Sequence, residues 1–196
     1  MINLTLDEAK KIAAEGDYKV IPISCEFFSD VKTPIEVLRI LKNISRHVYM
    51  LESIEDNEKW GRYTFLGYDP KLELACLKGK MTIKNGTTIE MDIRHPGEMI
   101  KKILADYKSP KLEHLPPFTG GLVGYFAYDY ICYAEPSLKL QAKDGENFKD
   151  VDLMLFDKVI AFDNYRQKII CIVNAKTEDI DRAYNKAVIE LKNMIS

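Results

Sequence analysis

Leu72-Glu73-Leu74-Ala75-Cys76-Leu77-Lys78-Gly79-Lys80-Met81-Thr82-Ile83-Lys84-Asn85-Gly86-Thr87-Thr88-Ile89-Glu90-Met91-Asp92 reads as strand after strand, separated only by turn residues. Apolar and polar residues alternate along it, which is the period of a half-buried strand. Asn85-Gly86 lies between two alternating stretches, and both residues tolerate positive φ, so a hairpin is expected there. Strands are predicted at residues 72–78, 81–84 and 87–92. Two more are predicted just upstream, at 47–53 and 63–68. Consecutive strands joined by short turns pair antiparallel, because a parallel crossover needs a dozen residues or more.

Helices stand around this block. Thr5-Leu6-Asp7-Glu8 is a capping box, in which a hydroxyl and a carboxylate satisfy free N–H groups at a helix start. That helix should run to Glu15 and end at Gly16. Residues 18–28 read as a strand, and Pro22 marks it as irregular or at an edge. Thr33-Pro34-Ile35-Glu36 opens a second helix with Pro at its first position, turning Ile35, Leu38, Ile40 and Leu41 toward a core. Residues 96–107 form a third, with Met99, Ile100, Ile103 and Leu104 at helical spacing. Residues 109–121 are loop and 122–128 a strand. Residues 135–149 are a polar surface excursion. Two apolar strands, 151–162 and 168–174, flank the turn Asp163-Asn164-Tyr165-Arg166. Thr177 can cap a last helix with the stripe Ile180, Ala183, Tyr184, Ala187, Val188, Leu191 and Ile195. Helices interspersed among runs of adjacent strands predict an α+β fold with mostly antiparallel sheet, not a doubly wound parallel one.

The chain has 196 residues, 46% of them hydrophobic, which suits one domain or a domain with an appendage. A charged fraction of 30% and a net charge of −2 provide no concentrated basic surface, so nucleic acid is not an expected partner. No apolar run approaches the roughly 18 residues of a membrane span, and the first residues have no signal-peptide core. A cytoplasmic protein is expected. Cys25, Cys76, Cys132 and Cys171 are far apart, with no C-x-x-C pair. They read as free thiols, buried except for Cys132, and not as zinc ligands.

Few residues present chemistry. Glu52 and Ser53 close the strand Val48-Tyr49-Met50-Leu51, where a carboxylate can pair with a ligand ammonium beside a hydroxyl. Read from spacing alone, they are equally a solvated strand end. Arg62 follows at about ten positions, within Trp60-Gly61-Arg62-Tyr63-Thr64-Phe65. It can bind a carboxylate or hold a loop by its backbone carbonyls, or pair on the surface with Glu55 or Glu58. Trp60 can wall a pocket or sit in a core. Leu115-Pro116-Pro117-Phe118-Thr119-Gly120-Gly121-Leu122-Val123-Gly124-Tyr125-Phe126-Ala127-Tyr128-Asp129 carries three glycines in five residues. No G-K-[ST] follows them and a strand comes next, so they do not make a phosphate loop. They fit close backbone approach at a strand start. Glu55-Asp56 and Glu178-Asp179 read as solvated acids. No Ser/His/Asp order and no carboxylate/His metal cluster stands out, so neither catalytic residues nor metal ligands are assigned.

In combination, Leu51-Glu52-Ser53 with Arg62, and Phe118-Thr119-Gly120-Gly121-Leu122-Val123-Gly124-Tyr125, resemble the N-terminal part of anthranilate synthase component I. The resemblance is clearest from about Thr33 to Ala175. Met50 stands where the family usually has Leu, and Cys132 where it usually has a basic residue. The resemblance implies two sheets packed face to face with helices outside, of which this chain builds part. It implies that residues 1–196 are a regulatory and scaffold domain, ending before the region that binds chorismate and Mg²⁺. The family enzyme adds ammonia, usually from a glutamine amidotransferase partner, to chorismate and releases pyruvate. Leu51, Glu52, Ser53 and Arg62 would line the feedback site for L-tryptophan, which also uses residues of the catalytic half. No cofactor is implied for this chain itself, and Mg²⁺ only for the full-length enzyme. The chain alone is expected to be inactive, and to pair with the missing half or self-associate. Two other readings remain open: the large subunit of aminodeoxychorismate synthase, and a stand-alone amino-acid-binding module.

Overall fold

The computed structural model describes residues 2–30, 32–53, 61–138 and 145–195. Trp60, Glu55, Asp56 and Glu58, and part of the polar excursion at 135–149, lie outside the described residues. The elements in chain order are α1 (Leu6–Glu15), β1 (Val20–Phe28), α2 (Pro34–Ile44), β2 (Val48–Leu51), β3 (Tyr63–Tyr68), β4 (Leu72–Leu77), β5 (Lys80–Asn85), β6 (Thr87–Asp92), α3 (Pro96–Ala105) and β7 (Gly121–Phe126). A 3₁₀ turn (Tyr128–Tyr130), α4 (Ile131–Ala134), β8 (Val151–Phe156), β9 (Lys158–Asp163), β10 (Lys168–Lys176) and α5 (Ile180–Ile195) follow. The fold is α+β with two five-stranded sheets built from antiparallel pairs, ordered β1-β10-β9-β3-β2 and β6-β5-β4-β8-β7. The chain divides into two compact units, one formed by Met1–Asp69, Asp106–Gly121 and Phe156–Ser196, the other by Pro70–Ala105 and Leu122–Leu155.

The first unit holds the β1-β10-β9-β3-β2 sheet, covered on both faces. One face carries Ile21, Ile23, Cys25, Leu66, Ile160, Phe162, Ile169, Cys171 and Val173 against Leu4, Ala9, Leu41, Ala187 and Leu191 from the N-terminal segment, α1, α2 and α5. The other face carries Val159, Ala161, Ile170 and Ile172 against Leu115, with Leu112, Phe118 and Phe65 beside them. Alternate residues thus serve opposite faces, as the pleat requires. The segment expected as loop at 109–121 is loop up to Gly120, with Gly121 already in β7, and it acts as the cover of the second face. Lys158 is buried on β9. Its Nζ reaches Asp69 at 2.9 Å and lies 4.6 Å from the centre of the Tyr68 ring.

The expected capping box forms, with Thr5 N donating to Glu8 at 2.8 Å, and the helix start at Thr33-Pro34 proves to hold a second one, with Thr33 N donating to Glu36 at 2.8 Å. Pro22 sits on an edge strand, as expected. Four details differ from the sequence reading. Residues 151–162 are not one strand. The chain changes sheet at Asp157, whose carbonyl accepts from Asn174 N at 2.9 Å and Asn174 Nδ2 at 3.1 Å. The last helix is capped by Asp179, whose carboxylate accepts from Arg182 N at 3.3 Å, because Thr177 gives its hydroxyl to Tyr18 O at 2.9 Å. On α2 the inward positions are Val37, Leu38 and Leu41, while Ile35 and Ile40 stay exposed. The strand expected at 122–128 is β7, shifted to 121–126, and Tyr128 opens the 3₁₀ turn.

The second unit holds the β6-β5-β4-β8-β7 sheet, with Leu74, Cys76, Met81, Val151, Leu153 and Leu155 buried and α3 contributing Ile100 and Ile103. Tyr133 of α4 ties this unit together: its hydroxyl donates to Asp150 at 2.7 Å and accepts from Gly79 N at 2.8 Å. The expected hairpin at Asn85-Gly86 forms with positive φ at Gly86 alone. A second two-residue turn, Lys78-Gly79, has positive φ at both residues and joins β4 to β5.

Candidate functional site

β2 ends in an open cleft. In the β2/β3 register Leu51 lies opposite Phe65, Met50 opposite Leu66 and Tyr49 opposite Gly67. Met50 packs toward the helix-covered face, so Leu51 and Tyr49 face the other way with Tyr63 and Phe65. Met50, Leu51, Glu52, Ser53, Tyr63 and Phe65 line a cleft of about 370 Å³. Its aromatic wall is built in series: Tyr63 stacks on Phe65 at 5.7 Å between ring centres, and Phe65 meets Phe118 edge-on at 5.7 Å. Leu51, Glu52 and Ser53 are exposed, so the carboxylate and hydroxyl stand in solvent beside apolar rings. That arrangement can take a small ligand with an ammonium group and an aromatic body.

Arg62 is placed differently. Its Nε donates to Asp163 Oδ1 at 3.0 Å and its Nη2 to Asp163 Oδ2, a bidentate ion pair. The guanidinium also lies over the Tyr63 ring at 4.8 Å and the Tyr165 ring at 5.8 Å. It is not among the residues lining the cleft. Asp163 is 2% exposed. Burial works against its charge, but the Arg62 hydrogen bonds and the Arg166 N–H at 3.0 Å outweigh burial and hold its carboxyl below the ordinary value. The same pairing raises Arg62 further. Arg62 therefore fixes the start of β3, which carries Tyr63 and Phe65, to the β9–β10 turn. The structure brings Leu51, Glu52 and Ser53 together and sets Arg62 behind their wall.

Tyr63 and Phe65 were not singled out from the sequence. The signal was there: the alternation Tyr63-Thr64-Phe65 puts both rings on one face of a strand next to β2. Tyr49, one position before Met50, is anchored inside the sheet. Its ring packs over Gly67 and meets Phe156 edge-on at 4.7 Å, and burial pushes its hydroxyl well up. Its hydroxyl is buried with no hydrogen-bond partner among the described residues.

The glycine segment serves the backbone. Gly120 has φ +144, and a Cβ there would lie 2.6 Å from Asn174 Nδ2 and 3.0 Å from Phe156 O. Asn174 Nδ2 in turn donates to Thr119 O at 2.7 Å. This close approach holds the covering loop on its sheet. Among the described residues there is no group of three or more His, Cys, Asp or Glu placed to hold a metal ion. No helix among them is long and apolar enough to cross a membrane.

The chain thus presents an acid and a hydroxyl beside stacked rings at a strand end of an α+β scaffold. Comparison with known sequences is more specific. The chain is 38% identical over 193 residues to anthranilate synthase component 1 of Acetivibrio thermocellus, covering 97% of this chain and 38% of that protein. It is 36% identical to the protein of the same name from Acinetobacter calcoaceticus, covering 95% and 38%, and 34% identical to that of Aquifex aeolicus, covering 94% and 38%. A solved structure of anthranilate synthase component I from Streptococcus pneumoniae aligns with a TM-score of 0.48 and 26% identity, over 85% of this chain and 36% of that one. No family model matches the chain. The resemblance seen in the Leu51–Ser53 and Phe118–Tyr125 segments thus extends over nearly the whole chain. The chain is related to anthranilate synthase component 1 over the N-terminal part of those proteins, and spans somewhat over a third of their length.

Proposed function

We propose that this chain serves as the N-terminal region of an anthranilate synthase component 1, and that the cleft at the end of β2 is its L-tryptophan site. The whole protein would convert chorismate and ammonia to anthranilate and pyruvate, the ammonia coming from a glutamine amidotransferase partner, in the cytoplasm. The chorismate-binding groups and the ligands of Mg²⁺ would lie outside this chain. Within it, Glu52 takes the ammonium of tryptophan, Ser53 hydrogen-bonds beside it, Leu51 contacts the ring, and Tyr63 and Phe65 wall it. Arg62 acts as a positioning residue through Asp163. The observation that carries this reading is the meeting of Glu52 and Ser53 with that aromatic wall, in a chain related to component 1 along 97% of its length.

The test uses Glu52→Gln in the protein carrying its catalytic region, followed by anthranilate fluorescence with and without tryptophan. Removing one partner of a desolvated charge pair costs roughly 2–5 kcal/mol. At about 1.4 kcal/mol per decade that is about thirty-fold to several-thousand-fold in affinity. Because Glu52 is open to solvent in this chain, the lower end is expected. Inhibition should be lost while the uninhibited rate holds, since the site is not the chemical one. Unchanged inhibition would remove Glu52 as the anchor, and a lost basal rate would place the cleft in the chemistry.

A further inference from the structure

The helix-covered face of the first unit carries a second recess, apart from the β2 cleft on the opposite face. α2 and the end of α5 stand on either side of it, and β10 forms part of its floor. Val37, Ile40 and Ile44 come from α2, Met194 and Ile195 from α5, and Ile169 from β10. The recess measures about 290 Å³. Protein interiors hold few voids larger than a water molecule, whose share of liquid is about 30 Å³. Walls of this kind offer water few hydrogen-bond partners but give a hydrocarbon close dispersion contact. The mouth is apolar as well: Ile40 is 46% exposed, Ile44 65% and Ile195 50%.

Charge and size define the occupant. Lys32 is the one charged side chain among the described residues that line the recess, and among the described residues it forms no ion pair. Glu36, the acid of α2, is already taken by Thr33 N at 2.8 Å and Thr33 Oγ1 at 3.0 Å. Along this stretch Lys32, Arg39, Lys42 and Arg46 outnumber Asp30 and Glu36, in a chain whose net charge is −2. The mouth therefore favours an anion. One turn of α-helix, about 10 Å across and 5.4 Å in pitch, fills about 400 Å³. A partner helix is too large to enter. The recess lies just below the roughly 300–1,000 Å³ of ordinary small-molecule pockets. Its lining is mainly branched and aliphatic, so it suits one short hydrocarbon body.

We propose that the recess between α2 and α5 binds a small aliphatic carboxylate, with its hydrocarbon body among Val37, Ile40, Ile169 and Met194 and its carboxylate on Lys32 at the mouth. The body drives binding by leaving water. The carboxylate stays at the solvent edge, where Lys32 meets it without either charge being fully desolvated. The site shares no lining residue with the β2 cleft, so its occupation does not depend on the reading of that cleft.

The folded chain, with isotope-labelled isoleucine and methionine methyl groups, is titrated with octanoate and separately with octanol, and followed by NMR. Saturable octanoate shifts are expected at Ile40, Ile44, Met194 and Ile195. The methyls of Ile89 and Met91, on β6 of the second unit, should stay in place. Lys32→Gln should weaken octanoate roughly two- to five-fold, the worth of one solvent-accessible ion pair, and leave octanol unchanged. Lys32 is exposed and lies outside α2, so this variant keeps the fold. The titration of the unaltered chain stands by itself in any case. Absence of saturable shifts at the recess overturns the proposal, and so do shifts as large at Ile89 as at Ile44. Equal octanoate affinity of Lys32→Gln and the unaltered chain overturns it too, because the carboxylate would then not rest on Lys32.

Discussion

Asp163 is nearly sealed from water, and its charge rests on Arg62 and one backbone N–H. Arg62→Ala leaves that carboxylate buried and short of donors. Breaking a buried pair from one side costs roughly 3–5 kcal/mol, and the lower end is expected because Arg62 keeps some contact with solvent. Chemical denaturation should show the loss as a lower midpoint at unchanged slope. The same pair sets an acid limit. The folded carboxyl lies below its ordinary value, and the unfolded one near 3.9. Its contribution is therefore full above about pH 4 and disappears as pH falls through the lower, folded value. Stability of the unaltered chain should fall steeply below about pH 4, and Asp163→Asn should flatten that part of the profile. Equal slopes for the two proteins would show that another carboxylate governs acid unfolding.

At the scale of elements, close backbone approach decides more than propensity does. A Cβ at Gly124 of β7 would lie 2.0 Å from Asp152 O on β8, a contact with backbone that no rotamer can relieve. Gly124→Ala should therefore push β7 off its sheet. Overpacking of this kind costs about 1–3 kcal/mol or more, and amide exchange in β7 should accelerate while that in β9 and β10 stays slow. An alanine variant with native exchange in β7 would mean the two strands are not held at this spacing. Glycines in that segment could be read from the sequence as close-approach positions, and so could the capping box at Thr5, the helix start at Thr33-Pro34, the antiparallel block and the edge position of Pro22, because each depends on residues within a few positions. The sheet change at Asp157 could not. Residues 151–163 are apolar almost throughout, and the bonds that mark the break come from Asn174, far along the chain. The partner of Arg62 was hidden for the same reason, since Asp163 is 101 positions away and reads locally as a turn residue. Glu52 and Ser53 could be named from sequence, whereas their aromatic wall needed the β2/β3 register.

For the whole molecule, the decisive fact is what stays uncovered. Phe126 is 51% exposed and Tyr128 83%, beside the edge strand β7, while Phe28 and Ile44 are 68% and 65% exposed in the other unit. Single exposed apolar residues are ordinary, but a strand edge unpaired among the described residues, with aromatic side chains beside it, invites pairing. The curated relatives are far longer than the region matched here, and further sequence in such a protein is one candidate to cover this edge. Another copy of the chain is the other candidate when it is studied alone. Association through β7 should bury at least the roughly 1,200–2,000 Å² of a standard stable interface. Sedimentation should then show a species that grows with concentration, and Phe126→Lys should return it to monomer by placing a charge at the pairing edge. A monomer at every concentration would mean that the edge is already protected. Association unaffected by Phe126→Lys would move the contact to the exposed residues Phe28 and Ile44.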